Sequence, residues 1–389
     1  MLHRMTPKES DISTPLAPDS TPLIAVFAQR ELNGHDDLRD HDIMPAALWQ
    51  AIGAAGLAQI GLPVEYGGTG GGFRNLASAA ETLSAEGGIK GVTTSWLGRQ
   101  LISRLLILGH GNEAQRREYL PDLAAGRLTP SLAISEPGAG AHPKHLQTTA
   151  ERAGDGFILN GEKAYVTNGP IADVFLVMAI TATHESRKRY SILIVPRNTP
   201  GLTLTEGVKI DFLHPAPHCG LRFKDVHVPH SNLLGREGSA FEEISLPMRR
   251  VEDALAIASI AGATRHQIAR LAAENKGHAF DETSLTELGT LATMPDGLSA
   301  LSGQAAEGLD QNIDPETLNS IAAAAKDWAR TIQERIRALI DQSGISLSTG
   351  LAAECHDIEK SLGIARSAHI VQSQRRARAL LASSAFEKH

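Results

Sequence analysis

Three groups of side chains in this sequence have the types and spacing to do chemistry. The first is a pair of hydroxyls, Ser135 and Thr167, near opposite ends of the stretch from Leu132 to Asp173. That stretch opens with a short apolar run, then enters Glu136-Pro137-Gly138-Ala139-Gly140, a loop too rich in glycine to extend a strand. Alternating residues around Thr148 to Ala150 lead to a turn at Gly154-Asp155-Gly156. Phe157-Ile158-Leu159 reads as a strand, with Asn160-Gly161 as a type I′ hairpin turn, and a second apolar run ends at Thr167-Asn168-Gly169. Strand, bent loop, hairpin and second loop would bring Ser135 and Thr167 close together on a β scaffold. The plainer alternative is that both are turn hydroxyls. The second group is acidic: Glu252 lies in Arg249-Arg250-Val251-Glu252-Asp253-Ala254-Leu255, and Ala256 and Ser259 share its helical face. Such an acid looks onto a small-residue surface with room for a substrate; the alternative is a solvated Glu near a helix start, paired with Arg249. The third group, His214, His218 and Cys219, has metal-ligand types. Its intervening prolines and the lack of a fourth ligand nearby favour a loop leading into a strand, so no metal is expected.

These groups need elements to hold them. From about Pro22 to Gly126 the pattern is helical: Leu23 to Leu32 is amphipathic, and Pro45 starts a second helix from its first turn. Residues 76–88 and 96–109 give further helices, and Tyr119-Leu120-Pro121 closes the last of them. The glycine run from Tyr66 to Gly72 has the wrong spacing for a phosphate loop and lacks its Lys, so it reads as a tight interhelix turn. From Leu132 to about Leu234 the period becomes two, with strands expected at Val174–Ala179, Tyr190–Val195 and Leu221–Val228. From Ala240 onward the chain reads as helical again. Met248–Asn275, Leu318–Ile340 and Leu351–Ala385 carry apolar stripes that suggest a bundle of four long helices. The segment 281–316, with Gly, Pro and acids, reads as a poorly defined link. There is no G-x-S-x-G elbow, and Arg375-Arg376-Ala377-Arg378 reads as a solvated or intersubunit face.

A chain of 389 residues can bury a large core around two or three substructures. The net charge of −7 argues against nucleic acid as the main partner. The two cysteines, Cys219 and Cys355, give no disulfide framework and suit a reducing compartment. No apolar run is long enough for a transmembrane helix, and the N-terminus lacks an apolar signal core, so the expected compartment is the cytoplasm.

The order of motifs resembles the acyl-CoA dehydrogenase family. Leu132 to Asp173 follows its flavin-binding signature, roughly A-x-T-E-P-x-A-G-S-D, then G-D-x-Y-x-L-N-G-x-K-x-W-I-T-N-G and A-D. The glycine run falls in a segment similar to its G-L-x-x-x-x-L-P-x-x-Y-G-G-x-G, and Leu221–Gly235 is similar to F-x-D-V-x-V-P-x-x-N-x-L-G. The resemblance implies a mostly α fold with a central β domain. A flexible lead-in (1–21) would precede an N-terminal helical domain (22–128), a middle β-barrel domain (129–238) and a C-terminal four-helix bundle (239–389). It further implies FAD, contacted by Leu132, Ile134, Ser135, Gly140, Ala141, Tyr165, Val166 and Thr167, with Ala141 and Arg249 reaching the substrate. Ser135 would donate to the flavin ring, and Thr167 would reach the reactive nitrogen. At the phosphate end Ala141-His142 replaces the usual Ser-Asp, and Gly277 stands where the family's R-x-x-F-G motif has Arg.

The family's reaction removes a proton α to a thioester carbonyl while the β-hydrogen leaves as hydride. Most members place the base in I-Y-E-G-T, where this chain has Ala365. The isovaleryl-CoA dehydrogenase type instead carries it ten residues before a helix glycine, which from Gly262 is Glu252. A carboxylate in a dry pocket, its pKa raised by burial, suits that task. The implied partners are an acyl-CoA or acyl-carrier-protein substrate and an electron-transfer flavoprotein or oxygen as acceptor, in a homodimer or homotetramer. An oxygen-using oxidase or monooxygenase on the same fold, and an inactive structural member, are the alternatives.

Overall fold

The apolar stripes of the N-terminal third fold as helices packed on one another: α1 (Thr21–Glu31), α2 (Ala46–Ala54), α3 (Phe73–Gly87), α4 (Lys90–Leu101) and α5 (Glu113–Ala124). The structure, a computed structural model, describes residues 19–364 and 366–382, without the side chains of 366–369 and 372. The expected lead-in before Asp19 and the Ala365 position lie outside the described residues. Helix α4 runs on through a π-helical segment, Ile102–Leu108. The structure corrects the expected stop at Tyr119-Leu120-Pro121, because α5 passes through Pro121 to Ala124. Pro121 is exposed, so the carbonyl that its missing N–H leaves free can be hydrated.

The glycine run is the expected interhelix turn. Gly67, Gly70 and Gly71 take left-handed φ of 86°, 78° and 89°, which glycine adopts without strain. The N-terminus of α3 that follows is already filled: the Asp310 carboxylate accepts from Phe73 N (2.8 Å) and Arg74 N (3.0 Å). A phosphate loop is thereby excluded by an anion supplied from elsewhere in the chain.

The middle of the chain forms one eight-stranded mixed sheet: β1 (Pro130–Ala133), β2 (Thr149–Ala153), β3 (Gly156–Thr167), β4 (Val174–His184), β5 (Arg187–Pro196), β6 (Leu202–Thr205), β7 (His218–Pro229) and β8 (Leu233–Leu234). The order is β6-β7-β3-β2-β4-β5-β8, open at its two ends, with β1 parallel to β4. Period-two patterning buries both faces. Val174, Leu176, Met178, Ile192 and Ile194 pack into the N-terminal helical core, while Phe175, Val177, Leu193 and Val195 join Phe157, Leu159 and Leu221 in the sheet's own core. Asn160-Gly161 is not the hairpin turn. Strand β3 continues through it with a bulge, and the β2–β3 turn lies at Gly154-Asp155. The left-handed tolerance of Asn-Gly is spent on that bulge: Gly161 has φ 141°, and a Cβ there would sit 2.7 Å from the Thr148 Cα.

The C-terminal part is built from α6 (Leu246–Glu274), α7 (Glu282–Asp310), α8 (Pro315–Ser343), α9 (Thr349–Gly363) and α10 (Arg366–Ala382). The expected link over 281–316 is thus largely a helix of 29 residues, capped by Asp281 Oδ1 accepting from Ser284 N at 2.7 Å. Its Gly and Pro content hides a buried stripe of Leu291, Met294, Leu298 and Ala305, and that packing outweighs the helix-breaking tendency of Pro295. Helix α6 crosses α3 at Gly262, where a Cβ would lie 2.1 Å from the Glu81 carbonyl oxygen. That close approach fixes how α6, and therefore Glu252, stands against the N-terminal helices.

Candidate active site

Two segments meet along one ribbon beside the sheet: β1 with the residues after it, and the end of β3. Ala164 N donates to the Ser135 carbonyl (2.8 Å), and Ser131 Oγ donates to the Thr167 carbonyl (2.5 Å). Ser135 and Thr167 therefore share the ribbon as expected, but they are staggered along it rather than opposed. Between them β3 carries a second bulge, where Tyr165 takes a left-handed φ of 58° and remains 47% exposed. A non-glycine residue in that region stores strain, and an exposed aromatic held there is a feature of sites rather than of cores. Among the described residues neither the Ser135 nor the Thr167 hydroxyl makes a hydrogen bond, so both are free for a ligand. Leu132 and Ile134 are half-buried against the N-terminal core. Val166 is fully buried in the sheet's own core, so only its backbone can face a ligand.

What locks the ribbon was not singled out in the sequence. Lys163, its side chain fully buried, reaches the Glu136 carboxylate (2.8 Å) and the Ile134 carbonyl (3.0 Å). Glu136 also accepts from Gln147 N (2.6 Å) and Thr148 N (3.0 Å), so one carboxylate ties both ends of the 136–148 loop to β3. Burial opposes the charge on Glu136, but Lys163 and these donors hold its carboxyl below the usual range. Burial pulls Lys163 down to about 8 against the attraction of Glu136. At neutral pH the pair is ionic. Both residues stand in the quoted motif, and the available signal was a buried-pattern Lys facing a loop Glu. Within the loop Gly138 and Gly140 take φ 72° and 56°, and Ala141 is exposed with no donor on its side chain.

Glu252 lies in the second turn of α6. The alternative pairing with Arg249 does not form. Arg249 Nε binds Asp253 (3.0 Å), and Asp253 is held from its other side by Lys326 Nζ (2.6 Å). Asp253 thus takes up both cations, and Glu252 makes no hydrogen bond or ion pair among the described residues. Its carboxyl is pushed up to about 7 by burial above all; Arg249 lowers it and Asp253 raises it. Its side chain nevertheless reaches solvent. By surface area the carboxyl is exposed, so the burial that raises its pKa comes from the protein atoms packed around it and not from exclusion of solvent.

The family models for the acyl-CoA dehydrogenase N-terminal and middle domains match residues 23–127 and 131–226, together more than half of the chain. The chain belongs to the acyl-CoA dehydrogenase family. It is 34% identical over 224 residues to an acyl-CoA dehydrogenase of Bacillus subtilis (strain 168), covering 56% of this chain and 58% of that protein. It is 35% identical over 191 residues to the mitochondrial isovaleryl-CoA dehydrogenase of Pongo abelii, covering 49% of this chain and 45% of that protein. The chain thus spans about half the length of the curated relatives it matches. The structure of butyryl-CoA dehydrogenase from Megasphaera elsdenii superposes with a TM-score of 0.82 at 24% identity, over 93% of this chain and 97% of that one, a likeness of fold. For this family member the resemblance read from the motifs and the mostly α architecture around a central sheet both hold.

Proposed function

We propose that this protein is an FAD-dependent dehydrogenase of acyl thioesters, with Glu252 as the base that takes the α-proton. The observation that carries the proposal is the state of Glu252: a carboxyl raised to about 7, without a hydrogen bond or ion pair among the described residues, and exposed on a helix whose apolar face is buried. A general base works best when its pKa lies near the operating pH, because it is then free to accept a proton and strong enough to do so. Asp253 supports this by engaging Arg249 in a hydrogen-bonded pair and by raising the Glu252 pKa through its own charge.

The ribbon fits the cofactor that this family uses. Ser135 and Thr167 offer two uncommitted hydroxyls on adjoining segments, and Tyr165 offers an exposed aromatic face between them. When bound, FAD supplies a two-electron acceptor for the β-hydride. The chain's own part is to orient the acyl group over Tyr165, to receive the α-proton on the Glu252 carboxylate and to hold it while the Cα–Cβ double bond forms. The thioester stays intact throughout. The Glu136–Lys163 clamp keeps the 136–148 loop, and Ala141 within it, at the edge of this surface.

The test is anaerobic mixing of the FAD-loaded protein with straight and branched acyl-CoA thioesters. Loss of visible flavin absorbance, with the α,β-unsaturated thioester as product, is the expected result. A yellow protein that no acyl thioester bleaches refutes dehydrogenation, and a protein that binds no flavin refutes the redox reading altogether.

A further inference from the structure

We propose that Asp253 is a positioning residue of this site: anchored to Lys326 of α8, it draws Arg249 aside and leaves the Glu252 carboxyl without a cation. The inference rests on the dehydrogenase reading for the role of Glu252 as base. The observations start from spacing on α6. Arg249 precedes Glu252 by three residues and Asp253 by four, and both separations bring side chains together on a helix surface. One guanidinium therefore has two acids within reach. It binds Asp253, Nε to Oδ2 at 3.0 Å, while no cation of the described residues comes within 4.0 Å of the Glu252 carboxyl.

What decides between the two acids comes from another helix. Lys326 Nζ donates to the other oxygen of Asp253, Oδ1, at 2.6 Å, so each oxygen of that carboxylate carries one cation. Ala322, Ala325 and Ala329 of α8 share a core with Ala254 and Ile257 of α6, and that packing holds the stem of Lys326, 16% exposed, against α6. Glu252 has no such anchor. The charged residues of the segment before α6 are Glu242 and Glu243, and Glu243 is engaged by Arg236 and by Ser239 Oγ. The charged groups with a resolved influence on Glu252 are Arg249, which lowers its pKa, and Asp253, which raises it, both smaller than the effect of burial. Asp253 works in one direction by two routes, its own charge and the guanidinium it occupies. Paired with Glu252 instead, Arg249 would lower that pKa by about one to three units and weaken the carboxylate as a base.

The experiment titrates the Glu252 carboxyl directly, by NMR of the FAD-loaded full chain isotope-labelled at its glutamate carboxyls, with the signal identified by its loss in Glu252→Gln. Wild type should titrate at about 7. Asp253→Ala should lower that midpoint by at least about one pH unit. Adding Arg249→Met should recover most of the shift, because burial remains and no cation is left to pair. Asp253→Glu, which keeps the carboxylate, should hold the wild-type value. An unmoved midpoint in Asp253→Ala, or a fall that Arg249→Met does not reverse, overturns the inference. Should Asp253→Ala not fold, Asp253→Asn removes the charge at the same size and serves the same comparison. The pH limb of anaerobic flavin reduction is followed in parallel. A limb that moves with the titration supports both readings, whereas midpoints that shift as expected under a fixed limb refute Glu252 as the base and leave the hold of Asp253 on Arg249 standing.

Discussion

Replacing Lys163 by Met tests whether the loop beside the ribbon is held by one buried ion pair. The lysine side chain is fully buried and that of Glu136 is 6% exposed, so solvent screens the pair very little. Removing one partner of a buried pair typically costs about 3–5 kcal/mol, because the other charge is left uncompensated. Glu136 would keep the Gln147 and Thr148 N–H donors, which places Lys163→Met near about 3 kcal/mol in that range. The reverse change should cost less. With Glu136→Gln, Lys163 can shed its proton, since burial already brings it down to about 8, and a neutral amine is cheaper to bury. The double variant should therefore be less damaged than the sum of the singles by at least about 1 kcal/mol. The pH dependence follows from Glu136: its lowered folded-state pKa supplies stability above the ordinary carboxylate range and withdraws it as pH falls through the folded value. Urea unfolding of wild type and the three variants, read by far-UV circular dichroism, measures all of this. A Lys163→Met cost below about 1 kcal/mol, or strictly additive singles, would refute the clamp.

Three further outcomes are expected. Ser135→Ala and Thr167→Val should each weaken FAD binding about three- to tenfold, the worth of one net hydrogen bond, in equilibrium dialysis; unchanged affinity would remove that hydroxyl from the cofactor contacts. Gly262→Ala should destabilise the protein by about 1–3 kcal/mol in the same urea assay, since its Cβ would meet the Glu81 carbonyl and push α6 off α3. Asp310→Ala should cost about 1 kcal/mol through the lost cap on α3, and Asp310→Asn should restore most of it.

The sequence was most legible where pattern and propensity agree. The two-sided burial of β4 and β5 shows as unbroken apolar runs, and the ribbon of Ser135, Tyr165 and Thr167 follows a long ordered motif. It was misleading where one residue type serves two geometries. Asn160-Gly161 has the signature of a type I′ turn, yet the same left-handed tolerance serves a bulge inside β3. Helix α7 was hidden because Gly and Pro lower local propensity, while the buried stripe that rescues it depends on packing against α6 and α8. The Glu136–Lys163 clamp spans 27 residues and the Asp310 cap spans 237, separations that no local pattern encodes. Glu252 itself was readable as a candidate. Its freedom from Arg249 was not, since that depends on Asp253 holding Arg249 while Lys326 from α8 holds Asp253.

The most direct test of the account is the pH dependence of anaerobic flavin reduction by a bleaching acyl thioester, in wild type and in Glu252→Gln. A base with a raised pKa must lose its proton before it can work, so the rate should climb as pH passes about 7 and level off above it. Glu252→Gln should keep its flavin and lose at least about a hundredfold in reduction rate, with that limb gone. A Glu252→Gln protein that reduces at the wild-type rate, or a wild-type limb lying at an ordinary carboxylate value, would contradict the assignment of Glu252 as the base.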